Sequence, residues 1–245
     1  MRNTRVFTKK PLSIGIEVDL DDFSTKHLET VLRLVPGNPV TIFNGEGGEF
    51  KAFIKSSGRK KTTVQVSEYS EINRESPLKI HLGIGLSRGD RMDSIVQKST
   101  EAGVTQISPL FTERTEVKLT GRRLENKLLH WEKICISACE QSYRNKIPVI
   151  NSPIKINDWI YRVSSAKKIV LDHNALTTIS ALRRENNVSS VCLLIGPEGG
   201  LSEEEIHTSN VADFSIFSLG PRIFRTETAP IAAISILQSL WGDIT

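Results

Sequence analysis

The sequence predicts an α/β protein in two parts: a small, mostly β unit, then a larger domain on a mostly parallel sheet. Three observations carry this. Short apolar segments with strand-like alternation crowd the first 70 residues. A polar stretch, residues 71–77, ends in Pro77 and reads as a linker. Beyond it, strand-like and helix-like segments alternate almost to the end, the pattern of a parallel sheet with helices on both faces. The boundaries drawn this way are 1–70, 71–77 and 78–245.

In residues 13–20, Ile14, Ile16, Val18 and Leu20 alternate with other residues, which predicts a strand. Leu28, Val31, Leu32 and Val35 are spaced as on a helix over residues 24–34. Residues 40–43 run into Asn44-Gly45-Glu46-Gly47-Gly48, a turn signal, and residues 49–54 resume the apolar pattern. Gly58-Arg59-Lys60-Lys61 predicts a second turn and residues 62–66 another strand, so this unit is a small barrel or a strongly curled sheet. In the second part, strands are predicted at 79–84, 106–110, 168–171, 191–195 and 214–219, and helices at 91–101, 122–141, 156–163, 180–185, 203–208 and 228–240.

Composition narrows the function classes. With 38% hydrophobic and 24% charged residues the chain can build a core. No run of about 18 apolar residues predicts a membrane span, and the N-terminus leads into no signal-like apolar region, so a cytoplasmic protein is expected. Three cysteines without a CxxC pair argue against a disulfide framework or a structural zinc. The five histidines show no metal-ligand spacing, so no metal is expected. Lys and Arg exceed Asp and Glu by 12 to 8 over residues 79–146, a mild basic band compatible with nucleic acid and equally with a solvated surface.

Three segments could carry chemistry. Gly83-Ile84-Gly85-Leu86-Ser87-Arg88-Gly89 lies between a strand and a helix, but its GxGxxxG spacing departs from the dinucleotide fingerprint and a glycine-rich turn explains it as well. Ile195-Gly196-Pro197-Glu198-Gly199-Gly200 ends an apolar strand abruptly and is followed by Ser202 and Glu205 at capping-box spacing. Its glycines would let a ligand lie on bare backbone. Leu219-Gly220-Pro221-Arg222-Ile223-Phe224-Arg225-Thr226-Glu227-Thr228 again ends a strand in Gly-Pro and opens an apolar helix. The two Gly-Pro loops read as two lips of one ligand site.

These segments, with Gly89-Asp90-Arg91-Met92-Asp93, Glu113-Arg114-Thr115 and Glu140-Gln141-Ser142-Tyr143-Arg144, resemble the RsmE family, the small-subunit ribosomal RNA uridine-N3 methyltransferases of the knotted SPOUT class. The resemblance runs over nearly the whole chain; Ala102, Tyr143 and Pro230 depart from the family pattern. It implies a PUA-like β-barrel before a SPOUT domain with a trefoil knot, S-adenosylmethionine as cofactor, a homodimer, and 16S ribosomal RNA or the assembled small subunit as partner. Carried over residue by residue, it implies a cofactor site of Leu171, Leu194, Ile195, Gly196, Pro197, Glu198, Gly199, Gly200, Leu219, Gly220, Ile223, Arg225, Thr226 and Thr228. Arg225 is the expected catalytic cation and Glu227 its orienting group or base. Arg5, Arg33, Arg88, Arg91, Arg114, Gln141 and Arg144 are the expected RNA contacts.

Overall fold

A computed structural model describes residues 4–58, 61–185 and 187–245; the predicted turn at Arg59-Lys60 lies outside the described residues. The chain divides into two compact units, Met1–Glu75 with Cys139–Ile147, and Ser76–Ala138 with Pro148–Thr245.

The first unit holds a five-stranded sheet of β1 (Arg5–Phe7), β2 (Glu17–Asp19), β3 (Pro39–Phe43), β4 (Glu49–Gly58) and β5 (Lys61–Ser70), in the order β1-β3-β4-β5-β2. β1 runs parallel to β3 and the other pairs are antiparallel. Strand alternation puts Val40, Ile42, Ala52, Ile54, Val64 and Val66 on the face that builds the core. Register shifts between β4 and β5 mark bulges, which increase local twist.

Two expectations for this unit change. The strand expected at 13–20 shrinks to Glu17–Asp19. Gly15 turns the chain at φ +88°, leaving Ile14 exposed while Val18 and Leu20 stay buried. The helix expected at 24–34 is a five-residue α1 (Asp22–Lys26), capped by the Asp21 carboxylate, that widens into a π-turn over His27–Val31. Only Leu28 of its apolar set reaches the core; Val31, Leu32 and Val35 are exposed, because the widened turn ends the 3.6-residue spacing.

The second unit is a seven-stranded, wholly parallel sheet. Its strands are β6 (Lys79–Gly85), β7 (Gln106–Phe111), β8 (Val149–Ile150), β9 (Ile154–Lys155), β10 (Lys167–Leu171), β11 (Ser190–Ile195) and β12 (Ser215–Phe217). The order is β12-β10-β11-β6-β7-β8, with β9 also on β7. Its helices are α2 (Asp90–Glu101), α3 (Gly121–Ser142), whose last residues belong to the first unit, α4 (Ile156–Arg162), α5 (Glu203–Val211) and α6 (Thr228–Trp241). Five consecutive residues of β11, Val191 to Ile195, are buried, as a strand covered on both faces requires. The helix expected at 180–185 is a 3₁₀ turn, Ile179–Arg184, and the strand expected at 214–219 is limited to Ser215–Phe217.

The glycines of β6 make room rather than turns; neither has positive φ. A Cβ on Gly83 would lie 2.5 Å from the Trp159 ring, and one on Gly85 would overlap the ring and nitrogen of Pro197. Gly85 is therefore where β6 and the Gly-Pro loop after β11 meet backbone to backbone.

Candidate functional site

The C-terminal ends of β10, β11 and β12 lie side by side, and the loops that follow them enclose a cavity of about 570 Å³. Open α/β sheets collect ligands at this edge, and the volume suits an organic cofactor.

The loop after β11 is built for close approach. Gly200 donates its N–H to the Pro197 carbonyl at 2.8 Å and sits at φ +70°. A Cβ on Gly196 would stand 2.7 Å from the carbonyl carbon of Gly200 and the nitrogen of Leu201, so the loop folds on itself only with glycine there. Ser202 then caps α5: its Oγ accepts from the Glu205 N–H while the Glu205 carboxylate accepts from the Ser202 N–H at 2.9 Å. The other oxygen of that carboxylate accepts from the Glu113 N–H at 2.8 Å, tying the loop after β7 to the start of α5.

Glu198 accepts from the Arg91 guanidinium at 2.8 Å and from the Arg88 N–H at 3.2 Å. Partial burial opposes its charge, but these hydrogen bonds and the Arg91 charge outweigh that and hold its carboxyl below the ordinary value. Opposite, the loop after β10 is pinned to β12: Asp172 N–H donates to the Phe217 carbonyl at 3.0 Å, and Thr177–Ile179 exchange hydrogen bonds with Ser218. At the third loop, the Thr228 and Ala229 N–H groups donate to the Arg225 carbonyl, closing the turn into α6.

Of the residues expected at a cofactor site, the structure places Leu171, Ile195, Gly196, Pro197, Glu198, Gly199, Gly200, Leu219, Gly220, Ile223 and Thr226 on the cavity wall. Leu194 is a correction: strand alternation turns it away from Ile195 into a core with Trp159, Ala212 and Phe214. Arg225, Glu227 and Thr228 also stand off the wall, on the turn and first residue of α6, whereas Arg222, Phe224 and Ala229 line it. The sequence reading missed the α5 side of the cavity. Glu203, Ile206, His207 and Asn210 line it at i, i+3, i+4 and i+7, a helix-face spacing that was legible once the helix was extended to Val211. It also missed Asp172, His173 and Asn174, which follow β10 directly.

Two expected RNA contacts are corrected as well. Arg5 is 5% exposed and its guanidinium is spent on Glu49, on the Arg144 carbonyl at 3.0 Å and on Asn145 at 2.6 Å. Arg144 is 4% exposed and binds Glu75 at 2.6 Å. Both cations hold the first unit together around Tyr143, whose ring lies 5.0 Å from the Arg5 guanidinium and 5.4 Å from that of Arg74. Tyr143 adopts φ +65° there. Arg33 and Gln141 are exposed. Arg88, Arg91 and Arg114 surround a second cleft, of about 430 Å³, next to the glycine loop.

No group of three or more His, Cys, Asp or Glu among the described residues could hold a metal, and no described helix is long and apolar enough to cross a membrane. Comparison with known proteins identifies the architecture. Residues 74–238 match the model of an RNA methyltransferase domain, and residues 20–67 that of an RNA methyltransferase PUA domain. The chain is 38% identical over its full length to ribosomal RNA small subunit methyltransferase E of Buchnera aphidicola, covering 99% of that protein. To its counterpart in Bacillus subtilis it is 32% identical, over 94% of this chain and 93% of that one. The chain belongs to the ribosomal RNA small subunit methyltransferase E family. The solved family member from Neisseria gonorrhoeae, bound to S-adenosyl methionine, superposes with a TM-score of 0.91 at 36% identity, covering the whole of both chains. A Legionella pneumophila methyltransferase in complex with SAM superposes at 0.95 with 39% identity, over 99% of this chain and 100% of that one. Membership of this family accounts for a parallel-sheet domain preceded by a PUA-type sheet unit.

Proposed function

We propose that this chain transfers the methyl group of S-adenosylmethionine to N3 of a uridine in 16S ribosomal RNA, as free RNA or in the assembled small subunit, in the cytoplasm. The observation that carries the reading is the 570 Å³ cavity between the three strand-ending loops, one of which folds back on itself through Gly196 and Gly200. Its composition fits this cofactor. Leu171, Ile195 and Leu219 offer apolar contacts for a purine, loop backbone offers hydrogen bonds to its edge, and Asp172, Glu203, His207 and Asn210 offer polar partners for the ribose and the amino acid. The bound cofactor supplies an already activated methyl group. The chain's own tasks are to align that group with the base and to favour loss of the N3 proton. Arg225 and Glu227 are proposed for the second task from the rim, on either side of the buried, wall-lining Thr226.

The first unit, within residues 1–70, is proposed to hold RNA, joined by 71–77 to a catalytic domain over 78–245. A homodimer is proposed through α6, where Ile231, Ile236, Leu240 and Trp241 remain half-buried. The deciding experiment maps methylated uridines in 16S ribosomal RNA by mass spectrometry after incubation with the protein and S-adenosylmethionine. One new N3-methyluridine, lost in Gly196→Val, is the expected outcome; an RNA mass unchanged both in free RNA and in subunits overturns the reading.

A further inference from the structure

A cationic cleft lies on the second unit apart from the cofactor cavity, with which it shares no lining residue. It measures about 450 Å³ and opens between the start of α2, the chain after β7 and the first half of α3. Leu86, Met92, Leu119 and Trp131, all buried, give it an apolar floor. Above them stand Arg88, Lys118 and Arg123, exposed, and Lys127, half-buried, against one lining carboxylate, Glu116.

Two of these cations have partners. Arg88 pairs with Glu116 at 2.5 Å. Lys127 reaches Asp93 at 3.4 Å, but that carboxylate already accepts from Trp131 Nε1 at 3.0 Å and lies 2.7 Å from His130 Nε2. Lys118 and Arg123 have no carboxylate partner among the described residues. With Asp93 counted, four positive groups face two negative ones, whereas the neighbouring cleft beside the glycine loop has three of each and is neutral. Cations gathered in this way repel one another, and an anion between them relieves the repulsion. The helix adds to the same field. α3 opens Gly121-Arg122-Arg123 with no acid in its first turn, while α2 opens with Asp90 and Asp93 and α5 with three glutamates. Arginines at a helix N-terminus oppose its dipole, so they do not serve the stability of α3 itself. Arg123, Lys127 and Trp131 recur at i, i+4 and i+8, which sets the two cations in line on the helix face where Trp131 closes the floor.

Resting on the proposed RNA substrate, we infer that this cleft grips the phosphodiester backbone of the strand flanking the target, with Lys118 and Arg123 as the principal phosphate contacts. A nucleic-acid backbone uses both parts of the cleft: its phosphates meet the cations and its sugars lie over the apolar floor. A free phosphate ion would use the cations alone. The catalytic unit therefore has a hold on RNA of its own, independent of sequence, besides the one proposed for the first unit.

The test uses the full-length protein and a labelled single-stranded RNA oligonucleotide of mixed sequence, because phosphate contacts do not depend on the target base. Fluorescence anisotropy gives the affinity over a range of salt concentrations. Each phosphate contact on a single strand adds about −0.7 to the slope of log affinity against log salt, which is about fivefold in affinity at 0.1 M salt. Lys118→Ala/Arg123→Ala is expected to flatten the slope by ~1.4 and weaken binding ~25-fold at that salt, with S-adenosylmethionine affinity unchanged. Lys79→Ala/Arg162→Ala removes the same charge from the start of β6 and the end of α4, at the opposite edge of the sheet, and is expected to leave the slope as in wild type. An unchanged slope in the first pair, or equal flattening in both pairs, overturns the assignment. Displacement of the oligonucleotide by millimolar inorganic phosphate at constant ionic strength assigns the cleft to a free anion and overturns it too. A wild-type protein that methylates no uridine overturns the proposed function instead, and the oligonucleotide slopes still decide the cleft.

Discussion

Gly85→Ala tests the backbone meeting between β6 and the Gly-Pro loop without altering any group on the cofactor cavity wall. The added Cβ would lie 2.9 Å from the Gly196 carbonyl carbon and closer still to Pro197. Carbon atoms pack comfortably at roughly 3.5–4.0 Å, so the two segments must part by about 1 Å. No rotamer change can absorb this, because the obstructing atoms are backbone and proline ring. β6 is held on both sides by registered pairing with β11 and β7, so the loop is the part that yields. Overpacking of this kind costs about 1–3 kcal/mol, and if most of it displaces the loop, cofactor affinity falls ~10–100-fold. Gly83→Ala is the control. Its Cβ meets the Trp159 ring, away from the cavity wall, and should lower the unfolding midpoint while leaving affinity alone. Isothermal titration with S-adenosylmethionine, beside urea unfolding of both variants, separates the two. A Gly85→Ala protein binding within threefold of wild type would refute the claim that this contact shapes the loop.

Two buried groups predict opposite responses to pH. Burial lowers the His81 pKa to about 4, and its Nε2 stands 2.8 Å from Ser108 Oγ and 3.3 Å from Trp159 Nε1. Stability from neutral His81 is full above pH 6.5 and should be lost between 6.5 and 4, by up to about 3 kcal/mol, in urea titrations; a flat profile in that window argues against the burial. Burial raises Glu140 to about 7, against the Phe7 N–H that donates to it at 2.9 Å and with Asp21 adding to the rise. Stability from the protonated form is full below about 4.5 and lost as pH rises to 7, so Glu140→Gln should gain ~1–3 kcal/mol over wild type at pH 8 and nothing at pH 4. Tyr143→Gly relieves left-handed strain of about 1 kcal/mol but removes the ring between Arg5 and Arg74, worth ~1–2 kcal/mol each; net destabilisation by chemical denaturation is expected, and a more stable variant would show the strain to dominate.

Much of the second unit was legible because its signals are local. An apolar run ending in Gly-Pro-Glu-Gly-Gly announces a strand and a loop, and Ser202 with Glu205 announces the helix after it. What escaped notice depends on distant partners. Nothing near Arg5 or Arg144 says that Glu49 and Glu75 wait for them, so both looked like surface cations. Gly85 looked like part of a glycine-permissive turn because Pro197, which needs its missing side chain, is remote in sequence. Strands as brief as Val149–Ile150 and Ile154–Lys155 carry too few residues for alternation to show. The position of β12 beyond β10, which brings three loops to one cavity, is a matter of sheet order on which periodicity is silent. Leu194 and Arg225 lie off the cavity wall while their neighbours Ile195 and Thr226 line it: strand alternation and turn geometry, not the motif, decide which side chains reach the wall.

The double duty of Glu205 has a kinetic consequence. One carboxylate fastens both the start of α5 and the loop carrying Arg114, and Arg114 in turn grips Gly199. This ring of contacts involves only the chain itself, so the floor of the cavity is set when the domain folds. Cofactor capture should therefore proceed as a single-phase encounter whose rate scales linearly with concentration, with no plateau marking a slow rearrangement. Cutting the ring at Glu205 would convert that one-step arrival into a two-step one, with the lost time appearing as a concentration-independent lag.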